Sequence, residues 1–357
     1  MSSIYTEQRI KNLLTLTAQE GASDLHLTKG RYPTLRIEGK LYPLTKESVL
    51  TPEDIKEMSN VILSEKNKEE LMEEGQVDFS YNLEGKARFR VNAFFQQGHI
   101  SIAFRLIPKE IRTLKQLNLP ESLYNFTKFS QGLCLIVGPV GHGKSTTLAA
   151  MINEINHKQE KHILTIEDPI EYIYEQDKCI INQREVFQDS KSFHSALKAV
   201  FREDANVVLV GEMRDLETIS TAITAAETGH LIFATLHTND SPQTIDRIID
   251  VFPPEQQNQV RSQLAGSLLG VISQRLIPTI DGGRVPAIEI MVKNNAVENL
   301  IRQGKIYQID NVIETSSDQG MISMDKSLAN LVKEGVVSAD EAIVYAKDVK
   351  NFQSLLK

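Results

Sequence analysis

Apolar positions along the chain fall into two textures. In the first stretch the period changes every few residues. Ile10, Leu13, Leu14 and Leu16 recur at helical spacing and predict a short amphipathic helix. Between Leu25 and Leu44 the apolar positions alternate (Leu25 and Leu27, then Leu35 and Ile37) and break at Gly30 and Gly39, which predicts a strand pair with turns. Thr51-Pro-Glu-Asp54 reads as a helix start: Thr at the cap, Pro at the first helical position, acids in the first turn. Ile55, Met58, Ile62 and Leu63 carry that helix on. Three strand-like runs follow, Val77–Tyr81, Arg88–Phe95 and Ile100–Leu106, parted by turn signals at Glu84-Gly85 and Gln97-Gly98. They predict an antiparallel meander, so residues 1–108 read as a small α+β domain.

Residues 109–120 follow Pro108, end in Pro120 and carry Lys109, Arg112 and Lys115; this polar stretch is expected to be a linker. From Gly132 the texture changes. Unbroken apolar runs at Leu133–Val137, His162–Ile166, Val207–Val210 and Leu231–Thr235 alternate with helical stretches. Such runs fit strands buried on both faces, as in a parallel α/β sheet. The C-terminal stretch reads as helical over Asn295–Arg302, Met324–Glu334 and Ser338–Ala346, the last opening on the capping signal Ser338-Ala-Asp-Glu341. Residues 121–357 form the second expected domain.

Composition narrows the class. At roughly 100–200 residues per domain, 357 residues fit two domains with real cores. Lys and Arg number 39 against 47 Asp and Glu, for a net charge of −8. A protein built to hold phosphate backbones carries a basic excess, so no nucleic-acid partner is expected. Cys134 and Cys179 form no C-x-x-C, which rules out a four-cysteine zinc site and speaks for two reduced thiols in the cytoplasm. No apolar run approaches the roughly 20 residues that span a bilayer. Met1 to Ile10 lacks a basic segment followed by an apolar one, so no signal peptide is expected.

The chemistry starts at Gly138-Pro139-Val140-Gly141-His142-Gly143-Lys144-Ser145, which fits G-x-x-x-x-G-K-[ST], with Thr146 next. It follows an apolar strand and opens a helix, the placement a phosphate loop requires. Its glycines let backbone N–H groups turn inward around a β-phosphate, and the helix N-terminus adds partial positive charge. Lys144 would bridge β- and γ-phosphates and Ser145 would ligate Mg²⁺. His142 counts among the loop's candidate ligands, although a solvent-facing bystander is the leading expectation for its side chain.

A second apolar strand, Val207–Val210, ends in Gly211-Glu212, with Gly where Asp commonly precedes the Glu. Glu212 then needs another carboxylate to share its work, and Thr165-Ile-Glu-Asp168 follows a strand as well. Parallel strands present their C-terminal ends together, so Glu167, Asp168 and Glu212 are expected to converge on the γ-phosphate. One would polarise the attacking water and another would hold the hydration shell of Mg²⁺; which of Glu167 and Glu212 is the base stays open. His230 and His237 flank the strand Leu231–Leu236. The ends of such a strand stand roughly 20 Å apart, which argues against a shared metal site. His237 falls at the end where a γ-phosphate sensor would sit, His230 at the other.

These boxes in this order resemble the secretion-type hexameric ATPases, and within them the type IV pilus retraction ATPases (the PilT-like family). The matching stretches include Ser23–Leu27, Arg88–Phe94, Gly138–Thr146, Thr165–Tyr172, Val208–Asp215, Ala226–Leu231, Thr235–Thr238, Asp250–Pro254 and Gly320–Asp325. The resemblance implies a RecA-like α/β P-loop ATPase domain preceded by a small α+β, PAS-like N-terminal domain. It implies an ATP- and Mg²⁺-dependent motor, assembled as a homohexamer, that meets an inner-membrane pilus platform protein without inserting into the bilayer. It also implies that N-terminal arginines approach the phosphates, and Arg90 and Arg105 are the matches. Arg214 and Arg275 fall in matching stretches, with subunit contacts rather than chemistry as their expected use. The Gly before Glu212 is normal for the family.

Three departures remain. Glu298 stands where the family's Ala-Ile-Arg-Asn-Leu-Ile-Arg stretch carries an Arg, Ala205-Asn206 replaces a Pro-Asp, and His142 is unusual in the loop. None removes a catalytic candidate, although Glu298 leaves room for a retraction-accessory paralogue. A related assembly or secretion ATPase is the alternative; such assembly proteins add an N-terminal domain and a cysteine-rich module. The charge balance argues against a RecA-like nucleic-acid translocase, and intact Lys144, Ser145, Glu167 and Glu212 argue against a dead regulatory subunit.

Overall fold

The computed structural model describes residues 3–37, 39–83, 85, 87–107 and 110–357. The turn residue Glu84 and the expected linker start, Pro108 and Lys109, lie outside the described residues. The chain divides into two compact units: residues 1–110 with 169–173, and residues 111–168 with 174–357.

In the first unit α1 (Ser3–Gln19) is followed by β1 (Asp24–Leu27), β2 (Thr34–Ile37) and β3 (Lys40–Pro43). Then come α2 (Pro52–Ile62), α3 (Glu65–Glu74), β4 (Gln76–Leu83), β5 (Ala87–Gln96) and β6 (His99–Ile107). The six strands form one antiparallel sheet in the order β3-β2-β1-β6-β5-β4. The expected strand pair is thus three strands, because Gly39 lets the chain turn straight back after β2. The helix expected from Thr51 through Leu63 is α2, and α3 follows it without a counterpart in the sequence expectations. Thr51 and Asp54 close a capping box on α2, and Ser64 then caps α3 by accepting from Asn67 N–H. Ile10, Leu14, Leu25, Ile55, Phe89 and Phe104 build the core under the sheet.

The second unit opens with α4 (Leu123–Phe126), β7 (Gly132–Val137), α5 (Lys144–Lys158), β8 (His162–Glu167), β9 (Ile180–Glu185), α6 (Phe193–Val200) and β10 (Val207–Val210). It continues through α7 (Leu216–Glu227), β11 (Leu231–Leu236), α8 (Ser241–Asp250), α9 (Pro254–Ser267), β12 (Leu268–Pro278) and β13 (Arg284–Val292). It ends with α10 (Asn295–Gln303), α11 (Ile309–Thr315), α12 (Met324–Lys333), α13 (Ala339–Ala342) and α14 (Val349–Leu356). Seven strands align as β13-β12-β7-β11-β10-β8-β9, parallel except for β13. Leu133, Leu135, Ile166, Val208 and Ile232 bury one face of the sheet against helices that include α7, α8 and α9. The expected parallel strands are present. β9, β12 and β13 were not read from the sequence.

Candidate phosphate-binding and hydrolytic site

Register decides what meets what. Val137 lies beside Leu236, Ala234 beside Val210, and Val210 beside Ile166. The ends of β8, β10, β11 and β7 therefore form one edge, and Glu167, Glu212, His237 and Gly138 follow along it in that order. Backbone bonds lock the level: Gly211 N–H donates to Ile166 O at 2.8 Å and Met213 N–H to Thr235 O at 3.1 Å. A β-carbon at Gly211 would stand 3.2 Å from Ile166 O and 3.3 Å from Glu167 Cα, so the close approach of β8 accounts for glycine before Glu212.

The loop between β7 and α5 is shaped to take a phosphate. Gly143 caps α5 at φ +82°, where a β-carbon would meet Gln274 Nε2 at 2.9 Å. At Gly138, φ +144°, it would meet Gln274 O at 2.4 Å. Lys144 curls back over this cradle. Its Nζ donates to Gly138 O at 2.8 Å and Pro139 O at 3.0 Å and lies 3.4 Å from His237 Nδ1. Ser145 and Thr146 occupy the first turn of α5, where unsatisfied backbone N–H groups favour an anion. Val140, at the loop tip, is exposed. The cradle and the first-turn hydroxyl of Ser145 fit a nucleotide phosphate with Mg²⁺.

His237 bridges the two halves of the edge. Its Nε2 lies 3.2 Å from Glu212 Oε1 while Nδ1 faces Lys144. Glu212 also receives two bonds from Arg214, at 2.5 and 2.7 Å. Burial pushes the Glu212 carboxyl up, but the Arg214 hydrogen bonds and the charges of His237 and Arg214 outweigh it and hold the group below the ordinary carboxylate value. Glu167 is buried at the end of β8, accepting from Thr165 Oγ1 at 2.7 Å, with Asp168 next in the chain.

Within the second unit one candidate stands away from this edge. His230 sits at the opposite end of β11, with Nδ1 at 3.1 Å from Ala225 O and its ring edge-on to Phe201. Arg90 and Arg105 belong to the first unit. They are direct partners on β5 and β6; Arg105 donates to buried Asp24 at 3.0 Å, and Arg90 pairs with Asp78 at 3.9 Å. His142 corrects an expectation: its ring does not idle in solvent, because Nδ1 accepts the Leu276 N–H at 2.9 Å. Burial, then the charges of Arg275, Arg284 and Lys144, lower its pKa.

Two contributors escaped the sequence reading. Arg214, expected at subunit contacts, also clamps Glu212 within the chain. Gln274 is the other; its signal is a Ser-Gln-Arg interruption inside the apolar run Leu268–Pro278.

A mainly parallel sheet with a strand, phosphate loop and helix unit, and acids at the neighbouring strand ends, defines a RecA-like P-loop ATPase. The family described as Type II/IV secretion system protein matches residues 2–334, and this chain belongs to it. The type IV pilus retraction ATPase PilT of Pseudomonas aeruginosa is 46% identical over 346 residues, covering 96% of this chain and 99% of that one. PilU, a type IV pilus ATPase of the same organism, is 37% identical, with 97% and 91% covered. A crystal structure of the pilus retraction motor PilT with bound ADP matches with a TM-score of 0.91, at 46% identity and covering 97% and 99%. The ATPase DotB of Legionella pneumophila matches at 0.79 and 26% identity, with 96% and 95% covered. The family resemblance and the fold class expected from the sequence are both borne out.

Proposed function

We propose that this protein is an ATP-hydrolysing motor that powers type IV pilus retraction and thereby twitching movement. One observation carries the reading. The hydrolytic edge, Lys144 to His237 to Glu212, is complete in a chain matching PilT at 46% identity over nearly its whole length. In this reading the loop Gly138–Thr146 seats the ATP phosphates and Lys144 leaves its loop carbonyls to hold them. Ser145 and Glu212 would hold Mg²⁺, Glu212 through water, and the bound ion neutralises phosphate charge. Glu212 or Glu167 takes the proton of the attacking water, and His237 ties Glu212 to the phosphate loop. Arg90 and Arg105 carry the phosphate-directed role that the family resemblance implies.

The working form is a homohexamer, held at the inner membrane by a pilus platform protein. Among the described residues no helix is long and apolar enough to cross a membrane.

Deleting the gene and scoring pili tests the reading. Excess pili without movement are expected; bald cells would assign the protein to pilus assembly instead. Lys144→Ala and Glu212→Ala are expected to abolish steady-state ATPase activity, and wild-type turnover in either would sink the site assignment. Comparing Glu212→Gln with Glu167→Gln identifies the base, as the variant with the greater loss of kcat.

A further inference from the structure

β12 runs beside β7 only as far as the Ser273–Val137 pair. After Val137 the chain leaves the sheet as the phosphate loop, so the next residues of β12 lose their neighbour on that side. Two functional loops take its place. Gln274 is 2% exposed, and its amide is used at both ends. Oε1 accepts from Thr147 Oγ1 on α5 at 2.7 Å, and Nε2 donates to His142 O in the loop at 2.8 Å. The open Leu276 N–H is taken up by the His142 ring.

Side chains alternate across a strand, so Ser273 and Arg275 point to the other face. There Ser273 Oγ donates to Asn239 O at 2.7 Å, and Arg275 Nη2 donates to Asn239 Oδ1 at 2.9 Å. Asn239 lies two residues beyond His237. One short stretch of strand therefore grips the phosphate loop with one face and the His237 loop with the other.

We infer that Ser273–Leu276 is the positioning rail of the nucleotide site: Gln274 sets the phosphate loop for nucleotide binding, and Ser273 with Arg275 sets His237 for turnover. The inference rests on the reading that the loop Gly138–Thr146 seats the phosphates. A loop held ready binds without first paying to be ordered, and this gain is equal in ground and transition states. Loosening it raises Kd and KM and leaves kcat. His237 touches both Lys144 and Glu212, so loosening its loop disturbs the reacting geometry and lowers kcat instead.

The test uses the full-length protein, with ADP binding by calorimetry and steady-state ATPase kinetics. Gln274→Leu removes one buried and one partly buried hydrogen bond and is expected to raise the ADP Kd and the KM for ATP about tenfold or more, with kcat within about threefold of wild type. Thr147→Val removes only one hydroxyl donor, so it carries the test if the first variant folds poorly; the same shift of about threefold is expected. Ser273→Ala is expected to lower kcat about fivefold at an unchanged KM. Unchanged Kd and KM in Gln274→Leu and Thr147→Val would overturn the rail. So would equal changes of kcat and KM in every variant, since that is what general loosening of the fold produces. Lys144→Ala separates the two readings: wild-type ADP binding in it rejects the phosphate loop as the seat, whereas its loss beside normal binding in Gln274→Leu rejects only the rail.

Discussion

Asp54 shows how a single carboxylate ties sequence to stability. It closes the cap on α2 by accepting from Thr51 N–H at 2.9 Å and from Thr51 Oγ1 at 2.7 Å, and Arg9 from α1 reaches it at 3.3 Å. Burial pushes its carboxyl up, but the Thr51 bonds and the Arg9 charge bring it below the ordinary value. A depressed folded-state pKa stabilises above the unfolded value, and that contribution is lost as pH falls through the folded one. Asp54→Asn is expected to destabilise α2 by about 1 kcal/mol at pH 7, read by amide hydrogen exchange. The difference from wild type should vanish in strong acid; a difference that persists there would mean that charge plays no part. The cap itself was legible, because Thr-Pro-Glu-Asp is a local signal. The Arg9 partner was not: it lies 45 positions away, and only the packing of α1 beside α2 supplies it.

At the scale of elements, legibility followed burial and length. β10 was expected at Val207–Val210 and is observed there, since four apolar residues between turns leave little choice. β9 is an edge strand with a mixed pattern, and β12 and β13 carry polar residues that do structural work inside the sheet. Ser273, Gln274 and Glu289 are all buried, which no periodicity announces. Of the C-terminal helices α10, α12 and α13 were visible and α14 was not, nor was what pins it. Asp325 at the start of α12 is buried and accepts the backbone N–H groups of Lys347 at 2.7 Å and Asp348 at 3.0 Å, just before α14. Asp325→Ala orphans both donors. It is expected to cost about 2–3 kcal/mol of local stability, seen as faster hydrogen exchange at Lys347, Asp348 and through α14. Unchanged exchange there would show that apolar packing alone holds the helix.

For the whole molecule, the two units bring different chemistry. The second unit carries the phosphate loop and its acids. The first carries a row across its sheet, Arg36, Asp24, Arg105 and Arg90, each directly paired with the next. If Arg90 serves the phosphates as proposed, Arg90→Ala keeps ADP binding and lowers turnover by orders of magnitude; unaltered turnover would reject that role. The sequence by itself determined the class of machine. The phosphate loop, the apolar strands and the acids after them are contiguous signals, and contiguous signals survive without a fold. Tertiary structure decided which of the marked residues meet. Strand order and register set His237 between Lys144 and Glu212 and made Gln274 and His142 parts of one brace. Those pairings depend on which strands become neighbours, and residues distant in sequence become neighbours only when the whole sheet closes.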